Sequence, residues 1–365
     1  MKKTIAIRRS PATDAKRPIT AYDVAELAGV SQSAVSRAFT PGASVAATTK
    51  SKIMEAARQL NYRPNLIARS LITSRSNLVG VIIPPLENQF YAALLEQFSI
   101  CFSRHGRRIL FFSSQRGASV DPILEDVLSS HVDALVMVAA SVASGFADEC
   151  RQIGLPIVLL NRKTDSKLVS SVTGANRKGA QVIADFLVAG RHSRFAYLAG
   201  LETSSTNRDR EEAFTARLRE NGKALSHRGV GDFSTAGASR ATRELLRSKR
   251  PPDAIFCAND HMALAAIDVA RTELGLAVGK DLSIVGFDDS ELSGWPIFGL
   301  TTYSQPVAQM AERVAQIVQE QLDGDSGLVS VVEIEGELVV RTSARVPRHG
   351  VSGPAHRRVW KPSLG

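Results

Sequence analysis

Between Leu78 and Val285 the chain alternates short apolar runs with longer stretches of helical character. The runs Leu78–Ile83, Ile109–Phe112, Ala134–Val138, Ile157–Leu160, Phe195–Leu198, Ala254–Cys257 and Ser283–Val285 have the length of strands and lack polar alternation, which marks strands buried on both faces. The intervening segments Phe90–Arg104, Asn176–Val188, Arg208–Glu220 and Asp260–Thr272 read as helices. Strand and helix in alternation predict parallel sheets covered on both sides, with ligands received at the carboxyl ends of the strands.

The first 76 residues follow another pattern. Thr20 with Asp23 three residues on resembles a capping box, and Val24, Leu27 and Ala28 then share one face of a short helix. Gly29 lies where the chain must turn, and Ser31 can cap a second helix whose inward residues are Val35, Ala38 and Phe39. Gln32, Ser33, Ser36 and Arg37 remain outside, on a face too short and too polar for a core but suited to a DNA major groove. Ile53, Ala56, Ala57 and Leu60 repeat at helical spacing and close a three-helix core. Pro64 stops that helix and Asn65 can cap another. The segment "LIARSLITSR" places Ile67, Ala68, Leu71 and Ile72 on one side of a helix too short to be stable alone.

Charge turns this helical corner from an ordinary one into a candidate reading head. Residues 1–76 hold 13 Lys and Arg against four acids, while the rest of the chain balances 32 against 32, so the whole excess of +9 is N-terminal. A cationic module joined to a neutral body is the footprint of a polyanion binder. No helix there has the broad apolar stripe of a membrane-surface helix. The longest apolar run, Ala134 to Ala143, is short of the roughly 18 residues of a membrane span. The N-terminus lacks the apolar region of a signal peptide, and the three cysteines have no CxxC spacing. A cytoplasmic chain without disulfide, metal or cofactor is expected.

"YDVAELAGVSQSAVSRAF", "TTKSKIMEAARQLNYRPNLIARSL", "GVIIPP", "FCANDHMALAA", "VGFDD" and "LTTYSQP", in that order, resemble the lactose-repressor (LacI/GalR) family of bacterial transcription regulators over about residues 18–342. The resemblance implies an α/β chain with an N-terminal three-helix helix-turn-helix domain (18–64), a hinge helix and linker (65–76), and a periplasmic-binding-protein-like body of two parallel-sheet lobes (77–342). Lobe 1 is expected at about 77–175 and 305–327 and lobe 2 at about 176–304 and 328–342, with 1–17 and 343–365 as basic flexible tails. It further implies contacts to a double-stranded operator from Thr20, Tyr22, Ser31, Gln32, Ser33, Ser36, Arg37, Asn65, Ala68 and Leu71, with Leu71 wedging between base steps. Lys50, Lys52 and Arg63 belong near phosphates or solvent.

For the inter-lobe cleft the resemblance implies an effector site made of Phe90, Tyr91, Asn161, Arg162, Arg210, Phe233, Asn259 and Asp288. Arg210 offers a rigid fork, Asn259 and Asp288 offer acceptors, and the aromatic side chains can stack on the apolar face of a ring. A sugar or sugar acid is the suspected effector. Arg162 reads equally well as an exposed ion-pairing residue, and each aromatic as core. The chain departs from the family at Ala175 and Pro85, where Asp is common, at Arg191 before His192, and at Ala46 before the third helix. The first two leave the effector more open.

No GxxxxGK[ST], HExxH, GxSxG or GxGxxG motif is present, since "GLAVGK" is one residue short and is followed by Asp281. An enzyme is not expected. A homodimeric regulator, most simply a repressor, is the favoured reading. An activator or dual regulator is the alternative within the family, and a ligand receptor without DNA function is the alternative outside it. The basic tail 346–365 has none of the apolar heptads of a tetramerising helix.

Overall fold

The computed structural model describes residues 17, 19–40, 42–63, 75–114, 121–140, 149–150, 152–164, 168–324 and 329–362. The chain divides into two compact units, Met1–Ser76 and Asn77–Gly365. Asn65, Ala68 and Leu71 of the expected hinge lie outside the described residues.

In the first unit α1 (Ala21–Ala28), α2 (Gln32–Ala38) and α3 (Ala47–Gln59) enclose a core of Val24, Ala25, Val35, Ala38, Ile53, Ala56 and Ala57. The turn after α1 is made by Gly29 at φ 65°, a left-handed conformation that glycine adopts without steric cost. Leu27, expected inside, is 50% exposed. The buried face of α1 is centred between Val24 and Ala28 and includes Ala25, and at about 100° per residue Leu27 falls well round from that centre.

The second unit continues with β1 (Leu78–Ile83), α4 (Gln89–Arg104), β2 (Arg108–Ser113), α5 (Asp121–Ser129), β3 (Ala134–Val138), β4 (Ile157–Leu160), β5 (Ser170–Gly174), α6 (Asn176–Ala189), β6 (Phe195–Ala199), α7 (Ser205–Glu220), β7 (Leu225–Val230), α8 (Thr235–Leu246), β8 (Ala254–Cys257), α9 (Asp260–Asp268), β9 (Ser283–Asp288), β10 (Thr301–Ser304), α10 (Val307–Leu322), β11 (Val331–Ile334), β12 (Leu338–Val339), β13 (Val351–Ser352) and β14 (Val359–Trp360). The helix expected over Asp260–Thr272 passes at Val269 into a wider π turn ending at Glu273.

These strands form two sheets. One has the order β11-β5-β4-β3-β1-β2 and is parallel throughout. The other, β13-β14-β12-β10-β9-β8-β6-β7, is parallel from β10 to β7 and antiparallel beyond. Strands β3, β4, β6 and β8 are buried at every position, as their uninterrupted apolar runs require when helices cover both faces. The chain passes between the lobes three times, from β5 to α6, from β10 to α10 and from β11 to β12.

Two expected boundaries are corrected. Strand β11 pairs with β5 in the first sheet, Val331 opposite Ser171 through Ile334 opposite Gly174, so it belongs to lobe 1 rather than lobe 2. The stretch from 343 to 362 is not a free tail. Ser343 is buried and bonds Thr301 and Ile284, while β13 and β14 extend the second sheet. Trp360 is 4% exposed, stands edge-on to Phe186 at 5.6 Å and donates from Nε1 to the His349 carbonyl at 3.0 Å. Apolar anchoring by Trp360 therefore outweighs the basic composition. Trp360→Ala is expected to destabilise the body by about 3 kcal/mol, read as a lower denaturant midpoint of the full chain; an unchanged midpoint would return this segment to the status of a loose tail.

Candidate DNA-reading face and ligand cavity

The first unit shows how a short polar helix is presented. Asp23 accepts from the backbone N–H and the hydroxyl of Thr20, both at 2.8 Å, and pairs with Arg17 at 2.5 Å. These bonds, those from Thr20 foremost, hold its carboxyl below the ordinary value. Ser31 Oγ accepts from the Ala34 N–H at 3.2 Å and fixes the start of α2. With Val35 and Ala38 anchored in the core, Gln32, Ser33, Ser36 and Arg37 are exposed along one side. Thr20, Ser31, Lys50, Lys52 and Arg63 are exposed as well, and Tyr22 is 67% exposed. Ala46 caps α3 without a side-chain bond.

In the second unit all eight residues expected in the cleft line one cavity, joined by Asn88 and Thr206, which sequence reasoning missed. They come from the ends of separate elements. Asn88 caps α4, accepting from the Phe90 N–H at 3.1 Å, and Phe90 and Tyr91 occupy the first turn with rings 5.6 Å apart. Asn161 and Arg162 follow β4, Thr206 and Arg210 lie on α7, Phe233 follows β7, Asn259 caps α9, and Asp288 ends β9. Asn161 (φ 57°), Phe233 (φ 54°) and Asp288 (φ 140°) have positive φ, a backbone strain that gathers where side chains must be aimed at a site. A Cβ on Gly200 would lie 2.1 Å from the Phe233 ring, so glycine is what lets that ring close over the cavity. The space among these residues is about 260 Å³, its opening to solvent included.

The polar chemistry differs from the expectation at three residues. Arg210 is buried with Nε on Asn176 Oδ1 at 2.8 Å, Nη1 on the Ala258 carbonyl, and its guanidinium 3.6 Å over the Phe287 ring. Among the described residues only Nη2 is without a partner, so this fork is already largely engaged. Asn259 uses Oδ1 to cap α9 through the Met262 N–H at 3.0 Å and therefore presents donors to the cavity rather than an acceptor. Arg162, read alternatively as an exposed ion-pairing residue, is 6% exposed, and Nη1 donates to the Asn161 carbonyl and the Thr206 hydroxyl, both at 2.9 Å.

Asp288 receives the Gln305 amide at 2.6 Å. Burial pushes its carboxyl up to about 7, with Arg210 pulling it down and Asp260 adding to the rise. Asp260 lies fully buried, accepting from Ser293 at 2.6 Å, Thr302 at 2.5 Å and the Ser290 N–H at 2.8 Å. Cys101, Cys150 and Cys257 are free thiols, each buried, and burial raises all three above the ordinary thiol range. Among the described residues no helix is long and apolar enough to cross a membrane.

A helix-turn-helix unit with an exposed polar second helix, followed by two parallel-sheet lobes that share a polar cavity, defines a ligand-binding DNA-binding regulator. Residues 20–65 match the model of bacterial regulatory proteins of the lacI family, and residues 184–344 match a periplasmic binding protein-like domain. The chain belongs to the lacI family of bacterial regulatory proteins. Catabolite control protein A of Priestia megaterium is 28% identical over 331 residues, 90% of this chain and 99% of the relative. The HTH-type transcriptional repressor PurR of Photobacterium profundum is 28% identical over 330 residues, 89% of this chain and 98% of the relative. Among solved structures, the lac repressor dimer bound to operator and the anti-inducer ONPF superposes with a TM-score of 0.80 at 28% identity, covering 90% of this chain and 99% of that one. One of these relatives is named as a control protein and two as repressors.

Proposed function

We propose that the protein is a transcription repressor of the bacterial cytoplasm that binds a palindromic operator as a homodimer, with an affinity set by a small metabolite held between the lobes. The observation that carries this reading is the convergence of Phe90, Tyr91, Asn161, Arg162, Arg210, Phe233, Asn259 and Asp288 on one cavity, in a chain whose N-terminal helices leave Gln32, Ser33, Ser36 and Arg37 exposed. PurR and the lac repressor, both named as repressors, support the sign of regulation, and the operator-bound lac repressor dimer supports the assembly.

One short helix contacts too few base pairs for useful specificity, so two copies are required on a two-fold site. The cavity is lined from both lobes, and the three chain crossings between them are the natural hinge for its opening and closure. Thr20, Tyr22, Ser31, Asn65, Ala68 and Leu71 complete the DNA contacts in this reading, with residues 65–76 transmitting lobe closure. A coupling of about 1–3 kcal/mol is enough to shift operator affinity roughly 5–150-fold.

Sedimentation and gel shift with selected operator DNA test this reading. A dimer on DNA is expected, with log affinity falling against log salt at a slope of about −0.9 per phosphate neutralised. A monomer on DNA, or binding insensitive to salt, would overturn it.

A further inference from the structure

Buried guanidinium groups are ordinarily neutralised inside the protein. Arg107, 5% exposed, pairs with Asp133 at 3.1 Å. Arg210 faces Asp288, the only acid among the described residues lining the cavity. Arg162 breaks the rule. It is 6% exposed, yet its bonds go to a carbonyl and a hydroxyl, and no carboxylate among the described residues pairs with it. Burial makes its charge harder to hold, Tyr91 offsets a part of that, and the neighbouring cations Arg210 and Arg208 add to the difficulty.

Lys163 beside it is already bridged to Asp209 at 3.0 Å and to Glu333 at 2.5 Å. Since Nη1 carries the protein bonds of Arg162, its Nε–Nη2 edge has no partner among the described residues. That edge is the one which receives two oxygens of an anion side by side. The Thr206 hydroxyl lies against the same guanidinium, and the unpartnered Nη2 of Arg210 also belongs to the cavity lining.

We propose that the effector is anionic, a polyhydroxylated acid or phosphate ester whose carboxylate or phosphate supplies the missing counter-charge to Arg162. This rests on the reading of the cavity as the effector site. The hydroxylated part of such a ligand then falls to Arg210 Nη2, the Asn259 amide and Asp288, and one aromatic face of the site is Phe233. A neutral sugar leaves a buried cation without its counter-charge and binds more weakly.

The test is calorimetry on the full-length protein with matched probes: glucose, gluconate, glucuronate and glucose 6-phosphate; galactose and galacturonate; fructose and fructose 1-phosphate; and inorganic phosphate alone. In at least one set an acidic member is expected to bind about 10- to 100-fold more tightly than its neutral counterpart. The carboxylate and phosphate members distinguish the two anion sources. Arg162→Gln is expected to remove that preference, and Arg162→Lys, which keeps the charge but loses the paired donors, to restore part of it at unchanged thermal stability.

A neutral sugar that binds as tightly as its acid and is indifferent to Arg162→Gln overturns the proposal, as does the failure of every acid in every set to bind. If the neutral sugar's binding is abolished by Arg210→Ala, the cavity reading survives that failure. Binding indifferent to both Arg162→Gln and Arg210→Ala would remove the cavity reading itself.

Discussion

Arg210→Ala silences the ligand response and weakens the body fold by about 3–5 kcal/mol. Both effects follow from the same contacts. The substitution leaves Asn176 Oδ1 and the Ala258 carbonyl without their donor, uncovers the Phe287 ring, and strips the buried Asp288 carboxyl of the cation that holds its pKa down. In the intact protein Asp288 sits near 7 against about 4 when unfolded. Because the folded value is the higher one, its contribution to stability is complete below about pH 4 and is lost as pH rises through about 7. Without Arg210 the loss extends to higher pH, so the deficit of the variant is larger at pH 8 than at pH 5. Urea unfolding of the full chain at those two pH values, beside calorimetry, measures both effects. Equal stability of the two proteins at both pH values would mean that these contacts contribute little. The first unit has its own core and keeps its DNA-reading face.

Gln32→Ala together with Ser33→Ala changes the preferred operator sequence, and Arg37→Ala lowers specific affinity by about 1–3 kcal/mol, roughly 5- to 150-fold. All three side chains are exposed on α2 and lie outside the core made by Val35 and Ala38. Their removal is therefore expected to leave thermal stability within about 0.5 kcal/mol of the parent. Selection of binding sites from random duplexes before and after substitution gives the result directly. A consensus that stays the same would exclude Gln32 and Ser33 from base reading.

The reading helix was legible because its signals are local: a capping serine, two inward apolar residues and an exposed polar side all fall within one turn or two. The inner strands were legible because burial on both faces leaves continuous apolar runs. The segment from Val331 to Val339 was misassigned for a physical reason, since β11 and β12 read as one extended stretch while Gly336 marks a change of sheet. A Cβ there would meet the Ser304 carbonyl oxygen at 1.8 Å, a closeness that involves a crossing more than 30 residues distant in sequence. Two-residue strands such as β13 and β14 are too short to show any period, and Trp360 gave no sign of its partner Phe186. Resemblance gave the identities of eight cavity residues, but not how they are used. That Arg210 is engaged by Asn176 and Ala258 while Arg162 keeps a free edge depends on backbone placed by distant elements.

The three passages of backbone between the lobes also bear on how such a protein changes over generations. The reading module is one contiguous stretch ending at Ser76, so it can be exchanged as a single piece. Neither lobe is contiguous. Replacing one would have to divide the chain near 175, 305 and 336 and rejoin a sheet built from both sides of each cut. Operator choice is thus free to be reassorted among relatives, while the two walls of the cavity are inherited together and must change residue by residue.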